Sequence, residues 1–280
     1  MNDIHLKILL EGASGRLART QHLPALMQMR QEGGLVLPNG ARCMPEPILL
    51  GRSTEKTKAQ AEALGLAWST DRASALADSS VTVYFDASAT AGRFERASQA
   101  LRAGKHVYLE KPLTDTLEQA LALHTLATQL NLRNGVVQDK LYLPGLHKMK
   151  KLLDGGAIGR VLSVKLEFGW WVFDGFDTPA QRASWNYRKA DGGGLIFDMY
   201  PHWCYILEKL IAPIESVTCL PRTLTPRRVD EQGQSYDVDV EDLAMAMLTL
   251  QGGIPVQIFA SWSTRLRRDD MLTQIGRAHV

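Results

Sequence analysis

Through the first half of the chain, short apolar runs alternate with stretches of helical period. Leu6–Leu10, Ile48–Leu50, Val81–Phe85, His106–Leu109 and a run opened by Val136-Val137 are too short for helices, and most carry β-branched or aromatic residues, which predicts strands. Helices are expected between them. One runs from a glycine turn at 12–15 to about Arg30. A second covers about Glu55–Leu64 and stops at Gly65, and a third covers Phe94–Ala103 and closes at Gly104. Asp115, with Glu118 three residues on, is a helix-start signature. Leu117, Ala120, Leu121, His124, Ala127 and Leu130 then share one helical face. Residues 31–47 contain Gly and Pro and read as a loop. Repeated strand–helix–strand order implies a parallel sheet covered by helices on both faces.

The second half has a different pattern. Pro144–Leu153 reads as a helix ended by Gly155-Gly156, and Val161–Phe168 alternates as a half-exposed strand. Gly192-Gly193-Gly194 precedes a helix from about Leu195 to Leu210. Val217–Leu220, Leu243–Leu250 and Val256–Trp262 are strands, the last two joined as a hairpin across Gly252-Gly253. This predicts an α+β domain, with the boundary near Gln138–Pro144: a parallel-sheet domain over 1–140 and a second domain over 141–274.

Composition narrows the class. At 280 residues and 45% hydrophobic content, the chain is a globular protein of one large domain or two ordinary ones. Lys+Arg 32 against Asp+Glu 30 gives no reason to expect nucleic acid or an acidic membrane as partner. The basic runs Arg227-Arg228 and Arg265–Arg268 read as solvated surface. Three cysteines, Cys43, Cys204 and Cys219, form no CxxC and suit free thiols in a reducing cytoplasm. No membrane span, signal peptide or metal site is expected.

Two segments point to a dinucleotide. Gly12-Ala13-Ser14-Gly15-Arg16-Leu17-Ala18 lies between a strand and a helix. Small residues there admit a pyrophosphate, and the helix N-terminus offers unpaired N–H groups. At the end of the second strand, positions 50–54 hold no acid for a ribose 2′-hydroxyl. Arg52, Ser53 and Thr54, with Arg16 nearby, suit a 2′-phosphate, so NADP is favoured over NAD. Ser53 also reads as a helix cap.

Two further segments carry candidate catalytic groups. In Glu110-Lys111-Pro112, proline drives Lys111 toward an extended geometry at the carboxyl end of a strand, where open α/β sheets bind ligands. A lysine there can move a proton or polarise a hydroxyl. In Gly192–His202, Asp198 and His202 are four residues apart on one helix face, so the carboxylate can orient the imidazole. Pro201 is expected to kink that helix, and the three glycines to let its start approach something closely.

"GKHVYLEKPL" at 104–113 and "GGGLIFDMYPHW" at 192–203, with "DGGAIGRVLSV" at 154–164 and "SWNYR" at 184–188, resemble the Gfo/Idh/MocA family of NAD(P)-dependent oxidoreductases. The resemblance runs from about Ile8 to Trp262. It implies a Rossmann domain followed by an α+β domain whose mostly antiparallel, open-faced sheet mediates homodimers or homotetramers. It also implies hydride transfer between the nicotinamide and a hydroxyl-bearing carbon of a sugar, polyol or related small molecule. By this resemblance Lys111 or His202 is the general base and Asp198 orients His202, while Glu110 and Lys111 also border the cofactor. Lys140, Trp185, Arg188 and Tyr200 are expected at the substrate, Tyr200 because it replaces the family's usual glycine between the Asp and His. Trp170, Trp171, Phe173, Phe176, Trp185 and Tyr187 either pack the sheet and an interface or form a sugar-stacking platform. The turn itself, of GxxGRxA form, is closer to that of dihydrodipicolinate reductase. Two other functions fit the same fold: a non-catalytic dinucleotide-sensing regulator, and a reductase of an unsaturated heterocycle. Relatives usually continue beyond this length. Ile275–Val280 reads as the translation of a sequencing adapter, so a truncated chain with an artefactual tail, including His279, is expected.

Overall fold

The structure is a computed structural model, and it describes residues 3–169, 173–264 and, for backbone alone, 272–277. The chain divides into two compact units, Met1–Val137 and Gln138–Val280.

In the first unit, strands β1 (Ile4–Glu11), β2 (Leu35–Val36), β3 (Arg42–Leu50), β4 (Ala67–Ser69), β5 (Val81–Asp86), β6 (His106–Leu109) and β7 (Asn134–Val136) form one sheet. Its order is β2-β3-β1-β5-β6-β7, with β4 also on β3. Every pairing is parallel except β2 with β3. The connecting helices are α1 (Leu23–Gln31), entered through a π-helical turn at Ala18–His22, α2 (Thr54–Leu64), α3 (Arg72–Ala77), α4 (Arg93–Arg102) and α5 (Leu117–Gln129). Leu9, Leu10, Leu49, Leu101 and Leu109 are fully buried, as the near-continuous apolar runs of a doubly covered parallel sheet require.

Three expectations are corrected here. Residues 31–47 are not one loop: Leu35–Val36 and the early part of β3 form a hairpin, and β3 pairs with β1 from Cys43 onward. Pro45 and Pro47 hid this strand. Between Met44 and Pro47 the strand has a partner on one side only, where a missing N–H is tolerated. The cap of α5 is Thr116, whose side chain accepts from Gln119 N–H, and not Asp115. The inward face of α5 is carried by Leu123, Leu126 and Ala127, while Leu117 and Leu121 stand exposed at 68% and 57%.

The second unit contains α6 (Pro144–Asp154), β8 (Val161–Gly169), α7 (Leu195–Leu210), β9 (Ile214–Arg222), β10 (Arg227–Val229), β11 (Ser235–Asp237), β12 (Leu243–Leu250), β13 (Ile254–Ser261) and β14 (Leu272–Arg277). The main sheet has the order β14-β8-β13-β12-β9, antiparallel apart from β8 with β13. Val164, Leu166, Ala244, Ala246, Val256 and Ile258 line its inner face, against Trp203, Ile206 and Leu207 of α7. Arg228, read from the sequence as solvated, is buried against Asp242 at 2.7 Å, while Arg227 is exposed beside Asp237. The run Arg265–Arg268, Trp170, Trp171 and His279 lie outside the described residues.

Candidate active site

The carboxyl edge of the first sheet is drawn together by register. Glu11 lies opposite Leu50 and Asp86, and Asp86 opposite Leu109. A row of backbone bonds continues past the strands: Gly12 N–H to Leu50 O, Ala87 N–H to Glu11 O, Glu110 N–H to Asp86 O and Val137 N–H to Leu109 O. The glycine turn, the Arg52 segment and Glu110-Lys111-Pro112 therefore leave the sheet from one edge.

Gly12 has φ 76°, and a Cβ there would come within 2.8 Å of the Ser88 backbone. Only glycine allows both the conformation and that approach. Gly15 N–H closes the turn on Gly12 O at 2.8 Å, and the chain turns helical at Arg16. The first helical amides, at Arg16 and Leu17, have no intrahelical acceptors and are placed to receive an anion. Ser14, Arg16 and Leu17 are exposed. This backbone fits a pyrophosphate. Ser53 caps α2 by accepting from Lys56 N–H at 3.3 Å, and Arg52 and Thr54 are exposed.

Glu110 is buried, and its carboxylate takes His22 Nε2 at 2.7 Å and the Lys111 N–H at 3.1 Å. Arg93, also buried, donates to the carbonyls of Glu110, Pro112 and Ser88. The Lys111–Pro112 peptide bond is cis. The sequence pattern pointed to Lys111 but missed His22 and Arg93, which reach the residues on either side of it from other elements. Beneath the same edge lies a buried charged cluster. The Glu11 carboxylate accepts from Arg72 and from the Tyr84 hydroxyl, and Asp86 accepts from Arg96 at 2.8 Å. Burial, then the Asp86 and Glu11 charges, push the Tyr84 phenol far above its ordinary value.

In the second unit α7 carries Asp198, Tyr200 and His202. Asp198 pairs with Arg182 at 2.6 Å. His202, 5% exposed, meets the Tyr205 hydroxyl through Nδ1 at 2.7 Å, with Asp139 Oδ1 3.8 Å from the same nitrogen. Lys140 sits in this group, its Nζ 3.6 Å from Asp139. The structure thus supplies His202 with partners that the Asp198 spacing did not indicate. Tyr205, three residues after His202, was the available signal. Pro201 lies inside the helix without ending it.

Tyr200 is buried in the core of the second unit. Its ring belongs to the core, its hydroxyl donates to Ala244 O at 3.1 Å, and burial raises its pKa. The inward pull of an apolar helix face outweighs the polar tip. Within the triplet of glycines, Gly193 is set by the chain itself. A Cβ on Gly193 would come within 2.4 Å of Asn186 O, so the close approach is to the chain's own 186–188 segment. The start of α7 is satisfied by Glu241, whose carbonyl and carboxylate accept from Leu195 and Ile196. The aromatic group divides: Tyr187 is buried against Trp262 and under Arg228, while Phe173, Phe176 and Trp185 are exposed. Arg188 lies over the Tyr236 ring, 3.9 Å from Asp230. Among the described residues no cluster of His, Cys, Asp and Glu could hold a metal ion.

Known proteins match both units. Residues 6–137 match the "Oxidoreductase family, NAD-binding Rossmann fold", and residues 146–278 match the "GFO/IDH/MocA C-terminal domain". The chain is 42% identical to D-xylose dehydrogenase of Paenarthrobacter nicotinovorans, over 98% of this chain and 72% of that protein. It is 28% identical to levoglucosan dehydrogenase of Pseudarthrobacter phenanthrenivorans, over 57% of this chain and 44% of that protein. A levoglucosan dehydrogenase structure, in complex with NADH and levoglucosan, superimposes with a TM-score of 0.83 at 24% identity, covering 98% of this chain and 71% of the other. Gal80p of Saccharomyces cerevisiae, as a super-repressor mutant, gives a TM-score of 0.82 at 18% identity over 97% of this chain and 71% of the other. These two structural likenesses speak for the fold. The two family matches and the 42% identity speak for descent, and the chain belongs to the GFO/IDH/MocA oxidoreductases, as a dehydrogenase on an NAD-binding Rossmann domain.

Proposed function

We propose that the chain transfers a hydride between NADP(H) and a hydroxyl-bearing carbon of a sugar, with an aldopentose such as D-xylose as the first candidate. The observation that carries the substrate class is the 42% identity to D-xylose dehydrogenase along 98% of the chain. When bound, the nicotinamide accepts the hydride; the chain's own groups handle the proton. His202 takes the hydroxyl proton, and the Lys111 ammonium stabilises the developing alkoxide. The two exchange these tasks in the alternative assignment. Asp198 and Lys140 shape the charge around His202 and the sugar hydroxyls, and Trp185 and Arg188 offer an exposed ring and a guanidinium for further sugar contacts. Tyr200 is left out because its side chain is in the core.

Preference for NADP is supported by the exposed Arg52 beside Ser53 and Thr54, with no carboxylate at 50–54. Arg16 and the amides of the turn take the pyrophosphate. Assembly into homodimers through the second sheet is supported by its outer face, where Leu220, Met245 and Met247 are exposed. Free cysteines suit a cytoplasmic enzyme. No helix among the described residues is long and apolar enough to cross a membrane.

The test is an assay of D-xylose, other pentoses and levoglucosan with NADP and with NAD, for the wild type and Arg52→Ala. Reduction of NADP by a sugar, with KM for NADP raised about 10-fold in the variant and the NAD rate little altered, is the expected result, since one charged contact to phosphate is lost. NADPH binding without turnover of any sugar would point to a dinucleotide-sensing regulator. A KM for NADP that is the same in Arg52→Ala as in the wild type would remove the 2′-phosphate assignment.

A further inference from the structure

Three polar groups of the second unit converge on one phenol. The Tyr205 oxygen lies 2.7 Å from His202 Nδ1, 3.3 Å from Asp139 Oδ1 and 3.3 Å from the backbone nitrogen of Lys140. A phenol has one proton to give and two lone pairs to accept with. The Lys140 amide can only donate. The Asp139 carboxyl is pushed up by partial burial, but Lys140, His202 and the hydrogen bond from Tyr205 outweigh that and hold it below its ordinary value. It is therefore a carboxylate at neutral pH and can only accept.

For these three contacts of the phenol, one arrangement puts a proton in each. Tyr205 gives its proton to Asp139, accepts from the Lys140 amide, and uses its second lone pair for a proton on His202 Nδ1. The reverse, with Tyr205 donating to Nδ1, sets a phenol lone pair against a carboxylate oxygen at 3.3 Å with no proton between them. Both Tyr205 and His202 are buried, so an unpaired contact of that kind is costly.

We infer that Asp139, acting through Tyr205, holds His202 as the Nδ1-protonated tautomer and so leaves the basic lone pair on Nε2. Asp139 and Tyr205 are positioning residues for the proton transfer, which deepens the reading of His202 as general base and rests on it. As the hydroxyl proton moves to Nε2 the ring becomes cationic. The Nδ1–H bond to Tyr205 persists, and Asp139, 3.8 Å from Nδ1, balances the new charge. Because the Asp139 side chain is 60% exposed, the counter-charge stays hydrated while the imidazole is buried. Lys140 is held on Asp139, and Asp198, one turn earlier on α7, is held on Arg182. The signal was present in the sequence as Tyr205 three residues beyond His202 and Asp139 just before Lys140, but nothing in the pattern joined them.

Imidazole 15N NMR of the full chain tests this, with the His202 signals assigned by their loss in His202→Gln. The wild type should show an Nδ1–H tautomer at His202. Tyr205→Phe and Asp139→Asn should lose that preference and lower kcat with D-xylose and NADP by roughly 10- to 100-fold, with KM for D-xylose little altered. Asp139 is exposed, so Asp139→Asn keeps the test open if the buried Tyr205 variant does not fold. An Nε2–H tautomer in the wild type overturns the inference, as does an unaltered spectrum in Asp139→Asn. If His202→Gln keeps full turnover, the general-base reading fails, and the spectra still decide the tautomer.

Discussion

Lys111 owes its place to groups distant in the chain. Glu110 receives its N–H, His22 holds Glu110 from the π-helical turn, and Arg93 gathers the flanking carbonyls from α4. Glu-Lys-Pro after a short strand was legible in the sequence; the reason the lysine is held there was not. Lys111→Ala should lower kcat at least ~10²-fold if its ammonium acts on the reacting hydroxyl. Thermal unfolding should be unaltered, because the backbone is held by Glu110 and Arg93. Steady-state kinetics that retain more than a tenth of the wild-type kcat would take Lys111 out of the mechanism. Tyr200 and Tyr205 teach the opposite lesson. Spacing within the motif drew attention to Tyr200, which is core, and away from Tyr205, which touches the histidine.

Among the elements, the strands of the first sheet were visible as short apolar runs because a doubly covered parallel sheet buries both faces. Helix faces were harder. In α5 the run Leu117, Leu121, Leu130 has helical spacing, yet the sheet takes Leu123, Leu126 and Ala127. Leucine on both faces makes the period ambiguous, and packing chooses. Leu123→Ala should cost ~2–5 kcal/mol, as a cavity in a packed core does. Leu121→Ala should stay within ~0.5 kcal/mol. Urea unfolding of the two variants separates the faces, and equal losses would contradict the burial. β3 was misread for a related reason: prolines mark loops in a sequence, but on a strand with one partner they cost little.

In the molecule as a whole, ionised groups are buried at both sheets. In the second unit Arg228 and Asp242 are each fully buried, 2.7 Å apart, and Arg228 also covers the Tyr187 ring. Arg228→Ala would leave Asp242 charged and uncompensated, so a loss of about 3–5 kcal/mol is expected in thermal or denaturant unfolding. A variant as stable as the wild type would show that the pair is dispensable. Acid should also weaken the fold. Hydrogen bonds from Ser74 hold the Asp71 carboxyl below its ordinary 3.8, and those from Ser80 do the same for Asp78. For a depressed folded value, the stabilisation is complete above the unfolded value and is lost as pH falls through the folded one. Melting temperature should therefore hold steady from neutral pH to about 5 and fall below about 4. A melting temperature still level at pH 3 would contradict this.

The sequence by itself determined the two-part architecture, the glycine turn, Glu110-Lys111-Pro112 and the Asp198–His202 spacing. These are local: each depends on periodicity, a backbone conformation open to one residue type, or a helical repeat. Tertiary structure alone decided which face of α5 is buried, that Arg228 is internal, that Gly193 serves the 186–188 backbone, and that Asp139 and Tyr205 attend His202. Those outcomes depend on which distant groups arrive at the same point, and on the free energy of leaving a buried polar group unpaired, which no spacing along the chain records.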